Sequence, residues 1–73
     1  MDEKIFLEKM KNILDNEDVT MDSPLEAIEE WDSLSIVSYA ALANGCGRSV
    51  TFPQVRECTT IRDLYALLMK KND

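Results

Sequence analysis

The chain contains no histidine, so the commonest general base and the commonest metal ligand are absent. Its two cysteines, Cys46 and Cys58, are too few and too far apart for a zinc site. Without a histidine or an activated thiol, no nucleophile–base pair can be assembled. Basic residues are also short, 8 against 14 acidic, for a formal net charge of −6. That balance repels phosphate backbones and anionic membranes, which disfavours nucleic acid; it fits basic protein partners and equally a charge that only keeps the chain in solution. From Ser33 to Gly47 there is no charge at all. This run is too short to span a bilayer and is broken by serines, Asn44 and two glycines, so it reads as a mostly buried helix rather than a membrane segment. No signal-peptide pattern is seen, because Met1-Asp2-Glu3-Lys4 leads straight into a charged helix. The expectation is a cytoplasmic chain with reduced thiols, Cys46 and Cys58 serving as small apolar core residues.

The 73 residues suffice for one domain, 1–73, with a thin core, since a chain of this size buries only about 60% of its unfolded surface. A deep substrate pocket is not expected. The balance of 45% hydrophobic and 30% charged residues suits a soluble domain. An enzyme is therefore the least expected class, and a module that others act upon the most expected.

Hydrophobic spacing predicts a first helix from Asp2 to about Asn16, with Phe6, Met10 and Ile13 on one side and Leu7 and Leu14 beside them. A long connection follows from about Glu17 to Asp32, pinned by Leu25, Ile28 and Trp31 and holding a short helical turn at Leu25 to Ile28. A second helix starts at Asp32 or Ser33, shows Leu34, Val37 and Ala41 on one face, and stops near Asn44-Gly45. Pro53 starts a short helix through Glu57. Thr59-Thr60, with Asp63 as an acidic partner, opens a last helix lined by Ile61, Leu64, Tyr65 and Leu68, with Lys70 and Lys71 near its end. The predicted class is all-α: an irregular four-helix bundle of three main helices and one short helix, with a long first loop.

The stretch Glu30-Trp31-Asp32-Ser33-Leu34 puts a serine one residue after a carboxylate at a helix start. A helix N-terminus carries partial positive charge and unpaired N–H groups, so a phosphodiester on the Ser33 hydroxyl would sit well there. Asp-Ser is equally the ordinary chemistry of a cap.

Asp32-Ser33-Leu34, Leu25 upstream, the helix that follows, the short third helix and Cys58-Thr59-Thr60-Ile61-Arg62-Asp63-Leu64 together resemble the acyl carrier protein family, including the peptidyl and aryl carrier domains. The resemblance spans nearly the whole chain, and its Glu-Trp-Asp-Ser-Leu form is similar to specialised stand-alone carriers. It implies a 4'-phosphopantetheine arm on Ser33, installed from coenzyme A by a separate, magnesium-using phosphopantetheinyl transferase. By the same resemblance Asp32 would assist recognition by that enzyme, and Leu34, the apolar motif neighbour, would either pack inward or touch partners. The arm would hold an acyl group as a thioester for acyl-loading and acyl-processing enzymes of fatty-acid, polyketide or other lipid biosynthesis. The protein itself would catalyse nothing and bind no metal, and it is expected to be a monomer. The cargo stays open: fatty acyl, hydroxyacyl, aminoacyl and polyketide groups ride on similar carriers.

One departure stands out. The helix after the serine usually carries acidic residues in this family, and here the comparable positions are Ser35, Ser38 and Asn44. The acids lie before the serine instead, at Glu26, Glu29, Glu30 and Asp32. Glu29, Glu30, Trp31, Ile36 and Tyr39 are therefore candidate partner-binding residues, although Ile36 and Tyr39 also fit a wide buried face, and Trp31 also fits a plug that fastens the loop. A calcium loop from Asp15 to Glu26 fails, because Val19 and Thr20 occupy positions that need an oxygen ligand and a glycine. A helical interaction module without a prosthetic group is the competing reading.

Overall fold

A computed structural model of the chain describes residues 1–69; Lys70 and Lys71 lie outside the described residues. The fold is all-α, with four helices in an irregular bundle. α1 (Glu3–Leu14) begins at Asp2, whose carboxylate accepts the Ile5 N–H at 2.9 Å. It buries Phe6, Met10 and Leu14, one residue per turn. It stops earlier than the predicted Asn16, because Asp15 turns left-handed at φ 51° and its N–H bonds back to the Asn12 carbonyl.

The long connection holds a single 3-10 turn, Leu25–Ala27, as expected, and is fastened by buried Val19, Met21, Leu25 and Ile28. It is also bonded to the start of the last helix, α4 (Ile61–Met69). The first N–H groups of a helix have no partner within it. Here Ile61 N–H donates to the Ser23 carbonyl at 3.3 Å and Arg62 N–H to the Met21 carbonyl at 2.7 Å. In return Leu25 N–H donates to the Thr59 carbonyl at 2.8 Å. Asp63 completes the cap, accepting the N–H groups of Thr59 and Thr60.

α2 (Ser33–Gly45) differs from its predicted setting in two ways. It is not mostly buried, and Leu34, Val37 and Ala41 face outward, Leu34 with 76% and Val37 with 56% of its surface exposed. The inward residues are Ser35, Tyr39 and Ala43, at four-residue steps. The helix is apolar on nearly every side, so periodicity selects no face. Hydrogen bonding does. The Ser35 hydroxyl donates to the Glu30 carbonyl, and the Tyr39 hydroxyl crosses the core to the Leu64 carbonyl at 2.7 Å. Phe6 meets Tyr39 edge-on, ring centroids 6.4 Å apart, and leans on Tyr65 at 5.3 Å.

After Gly47, at φ 82°, the chain reaches α3 (Phe52–Arg56). A reciprocal cap opens it: Gln54 N–H donates to the Thr51 hydroxyl, and Thr51 N–H donates to the Gln54 side chain. α1 packs on α2 and α4, and α3 on α4. Ile61, Leu64 and Leu68 line the inner side of α4, with Tyr65 half-buried beside them. Cys58 is half-buried and packs against the core, whereas Cys46 is exposed and is not the core residue expected, because it follows the end of α2.

Candidate functional site

The site is built by the cap of α2. Asp32 is extended (φ −134°, ψ −170°), and its Oδ1 accepts the Ser35 N–H at 3.1 Å. Its carbonyl takes the Ile36 N–H at 3.0 Å. Among the described residues the backbone N–H groups of Ser33 and Leu34 find no such partner, the state that lets a helix start receive an anion. Ser33 is the first residue of the helix and is exposed.

The two serines here are chemically distinct. The Ser35 hydroxyl is buried and committed to the Glu30 carbonyl, with Asp32 Oδ1 at 3.4 Å. The Ser33 hydroxyl stands in solvent, bonded to none of the described residues. Of these two serines, Ser33 is the one that offers an oxygen to which a group can be attached without breaking a structural hydrogen bond.

The flanks fall into three surfaces. On one side is the acidic connection. Between Lys11 and Arg48 the chain has no basic residue, and Glu26, Glu29, Glu30 and Asp32 are all exposed. Glu30 Oε1 also accepts from the Asn16 side chain at 3.2 Å, tying this segment to the end of α1. On the second side Leu34 and Val37 stand outward. On the third, Trp31 and Ile36, which bracket Ser33 in the chain, line a cleft of about 360 Å³. Leu25, Val55, Cys58 and Thr59 complete it, with Glu26 and Arg56 as its charged members. A smaller apolar hollow continues from Ile36 to Ala40, Val50 and Phe52.

Of the residues proposed from the sequence, Asp32, Ser33, Leu34, Glu29 and Glu30 come together on the surface, and half-buried Trp31 and Ile36 join them through the cleft. Tyr39 does not. It is 0% exposed, and its hydroxyl is spent inside the bundle, so it offers partners nothing. Burial pushes its phenol well above the ordinary tyrosine value, and the neighbouring Cys58 adds to this in its thiolate form. Burial also raises the Cys58 thiol, helped by the carboxylates of Asp63 and Glu57; its Sγ–H donates to the Gln54 carbonyl at 3.6 Å. Cys58 is thus a protonated wall of the cleft rather than a nucleophile. Arg56 and Cys58 join the site only through tertiary packing, and no local pattern announces them. Val37 was visible as apolar, but its outward direction was not.

No protein-family model, curated protein or solved structure matches the chain. Among the described residues no helix is long and apolar enough to cross a membrane, and no group of three or more acidic or cysteine side chains is placed to hold a metal ion.

Proposed function

We propose that the chain is a carrier protein of the acyl-carrier type, bearing 4'-phosphopantetheine on Ser33. The observation that carries this reading is the division of labour between the serines: Ser35 is locked into the cap of α2, while Ser33 is exposed at its first position. The residues present fit the group. The free N–H groups of Ser33 and Leu34 suit its phosphate, and Asp32 fixes the helix start without occupying the Ser33 hydroxyl. When attached, the arm supplies a terminal thiol for holding an acyl group as a thioester. The cleft beside Trp31 and Ile36 gives such a cargo a partly apolar wall.

On this reading the protein is not an enzyme. A separate phosphopantetheinyl transferase modifies it, and acyl-loading and acyl-processing enzymes, rather than nucleic acid or membrane, are its partners. It acts as a cytoplasmic monomer. The exposed Leu34, Val37 and Phe52 favour one second reading, a helical interaction module with no prosthetic group. The two separate on intact mass after incubation with coenzyme A, magnesium and a broad-specificity transferase. The carrier gains one phosphopantetheine group, and Ser33→Ala gains none. An unchanged parent mass, or an equal gain in the Ala variant, overturns the carrier reading at Ser33.

A further inference from the structure

We infer that the cleft beside Ser33 is a site for an aminoacyl group, whose ammonium lies against Glu26 and Trp31 and whose side chain lies on the apolar floor of Leu25, Ile36 and Val55. The inference rests on the carrier reading and names the cargo of that same site.

Size limits the cargo first. The cleft measures about 360 Å³, at the low end of the range of about 300–1,000 Å³ for small-molecule sites. It suits a group of amino-acid size rather than a long chain. The core offers no extension, because Phe6, Tyr39 and Leu64 are 0% exposed and the Tyr39 hydroxyl bonds across it to the Leu64 carbonyl.

The lining then selects the charge. Glu26 on the connection and Arg56 at the end of α3 are exposed and line the cleft, yet neither forms an ion pair among the described residues. One charge of each sign leaves the choice to the surroundings, and these are acidic. Glu57 follows Arg56 directly, and Asp63 holds the N–H of Thr59, another residue of the cleft, at 2.9 Å. The wall residue Cys58 registers the result: burial raises its thiol, and the carboxylates of Asp63 and Glu57 raise it further. The net charge of −6 acts in the same direction at longer range. A cationic group is thus favoured over a carboxylate. Trp31 adds to the preference, because an indole attracts an ammonium to its ring face, and Trp31 and Glu26 share this cleft. Arg56 repels the same group and so keeps the ammonium on the Glu26 side. In an aminoacyl thioester the ammonium and the side chain leave the same carbon, so the cationic and apolar parts enter the cleft together.

The test compares two cargoes that differ only in the ammonium. A broad-specificity phosphopantetheinyl transferase with magnesium attaches the loaded arm of leucyl-coenzyme A, or of 4-methylpentanoyl-coenzyme A, to the full chain. Cleavage of each thioester by hydroxylamine is followed by intact mass at about pH 6, where an α-amino group is charged. Each rate is compared with that of the corresponding free coenzyme A thioester. The leucyl group is expected to be protected about fivefold, the combined scale of a partly exposed ion pair and a cation–π contact, and the 4-methylpentanoyl group less than about twofold. Glu26→Gln is expected to abolish the leucyl protection, whereas Glu17→Gln, which removes an exposed carboxylate outside the cleft, keeps it. Circular dichroism of both variants should match the parent.

If the arm is attached at Ser33 but the two cargoes are protected equally, or the leucyl group stays protected in Glu26→Gln, this inference fails and the carrier reading stands. If the parent takes up no arm, loaded or free, the carrier reading fails and this inference falls with it.

Discussion

Ser35 and Tyr39 are polar residues on the buried side of a helix, and each is there because its hydroxyl has a partner: the Glu30 carbonyl for one, the Leu64 carbonyl for the other. Such partners lie in other segments, so the sequence pattern around α2 left the inward residues undetermined, whereas the cap chemistry of Asp32-Ser33 was local and legible. Removing the Tyr39 hydroxyl makes the point measurable. Tyr39→Phe is expected to lower unfolding free energy at neutral pH by about 1 kcal/mol, the usual net worth of an internal hydrogen bond. The pH dependence has a fixed sign. The folded phenol holds its proton above the ordinary value of about 10, while the unfolded one releases it there, so the unfolded state binds fewer protons and stability falls as pH rises beyond about 10. Below that value the contribution of Tyr39 is fully present. Cys58 is raised in the same sense but remains in both proteins. The stability curves of parent and Tyr39→Phe, from urea unfolding at several pH values, should therefore be separated at pH 7 and converge in alkali. A constant separation across that range would contradict the buried setting of Tyr39.

At the scale of elements, the helices were readable from their ends and from amphipathic spacing. α1 has one apolar side, so Phe6 and Met10 were placed inward from the sequence, and the turn at Leu25 and the starts of α3 and α4 followed from Pro and Thr punctuation. α2 is the exception. It is apolar almost all round, its face is set by tertiary hydrogen bonds, and Leu34, Val37 and Ala41 are left on the outward side. The cap of α2 has two roles on this account, holding the helix start and presenting Ser33, and two substitutions separate them. Asp32→Ala removes the acceptor for the Ser35 N–H and is expected to cost about 1 kcal/mol of stability, whereas Asp32→Asn, an equally good cap residue, is expected to cost only a few tenths. Both should slow modification by a transferase that reads the carboxylate. Thermal unfolding reports the first effect and intact-mass kinetics the second. If Asp32→Asn is modified at the parent rate, the Asp32 carboxylate is a cap and nothing more.

Across the whole molecule, the long connection is a working part of the fold rather than slack. Its carbonyls satisfy the opening N–H groups of α4, and its apolar residues close one side of the core. Arg62 adds an external tie, donating to Glu3 at 2.9 Å and to Asp22 at 3.2 Å, so that α1, the connection and α4 meet at one side chain. All three groups are half-exposed or more, and exposed pairs contribute little. Arg62→Ala should therefore cost no more than about 1 kcal/mol in urea unfolding, and less in high salt; a larger loss would mean that the tie holds the connection in place. That connection delivers Glu30, Trp31 and Asp32 to the start of α2, and the account of function depends on what is attached there. The most direct test is intact mass spectrometry of the parent and Ser33→Ala after treatment with coenzyme A, magnesium and a broad-specificity phosphopantetheinyl transferase. The account predicts a gain of one phosphopantetheine group in the parent and none in the variant. An unmodified parent, or a variant modified to the same extent, would contradict it.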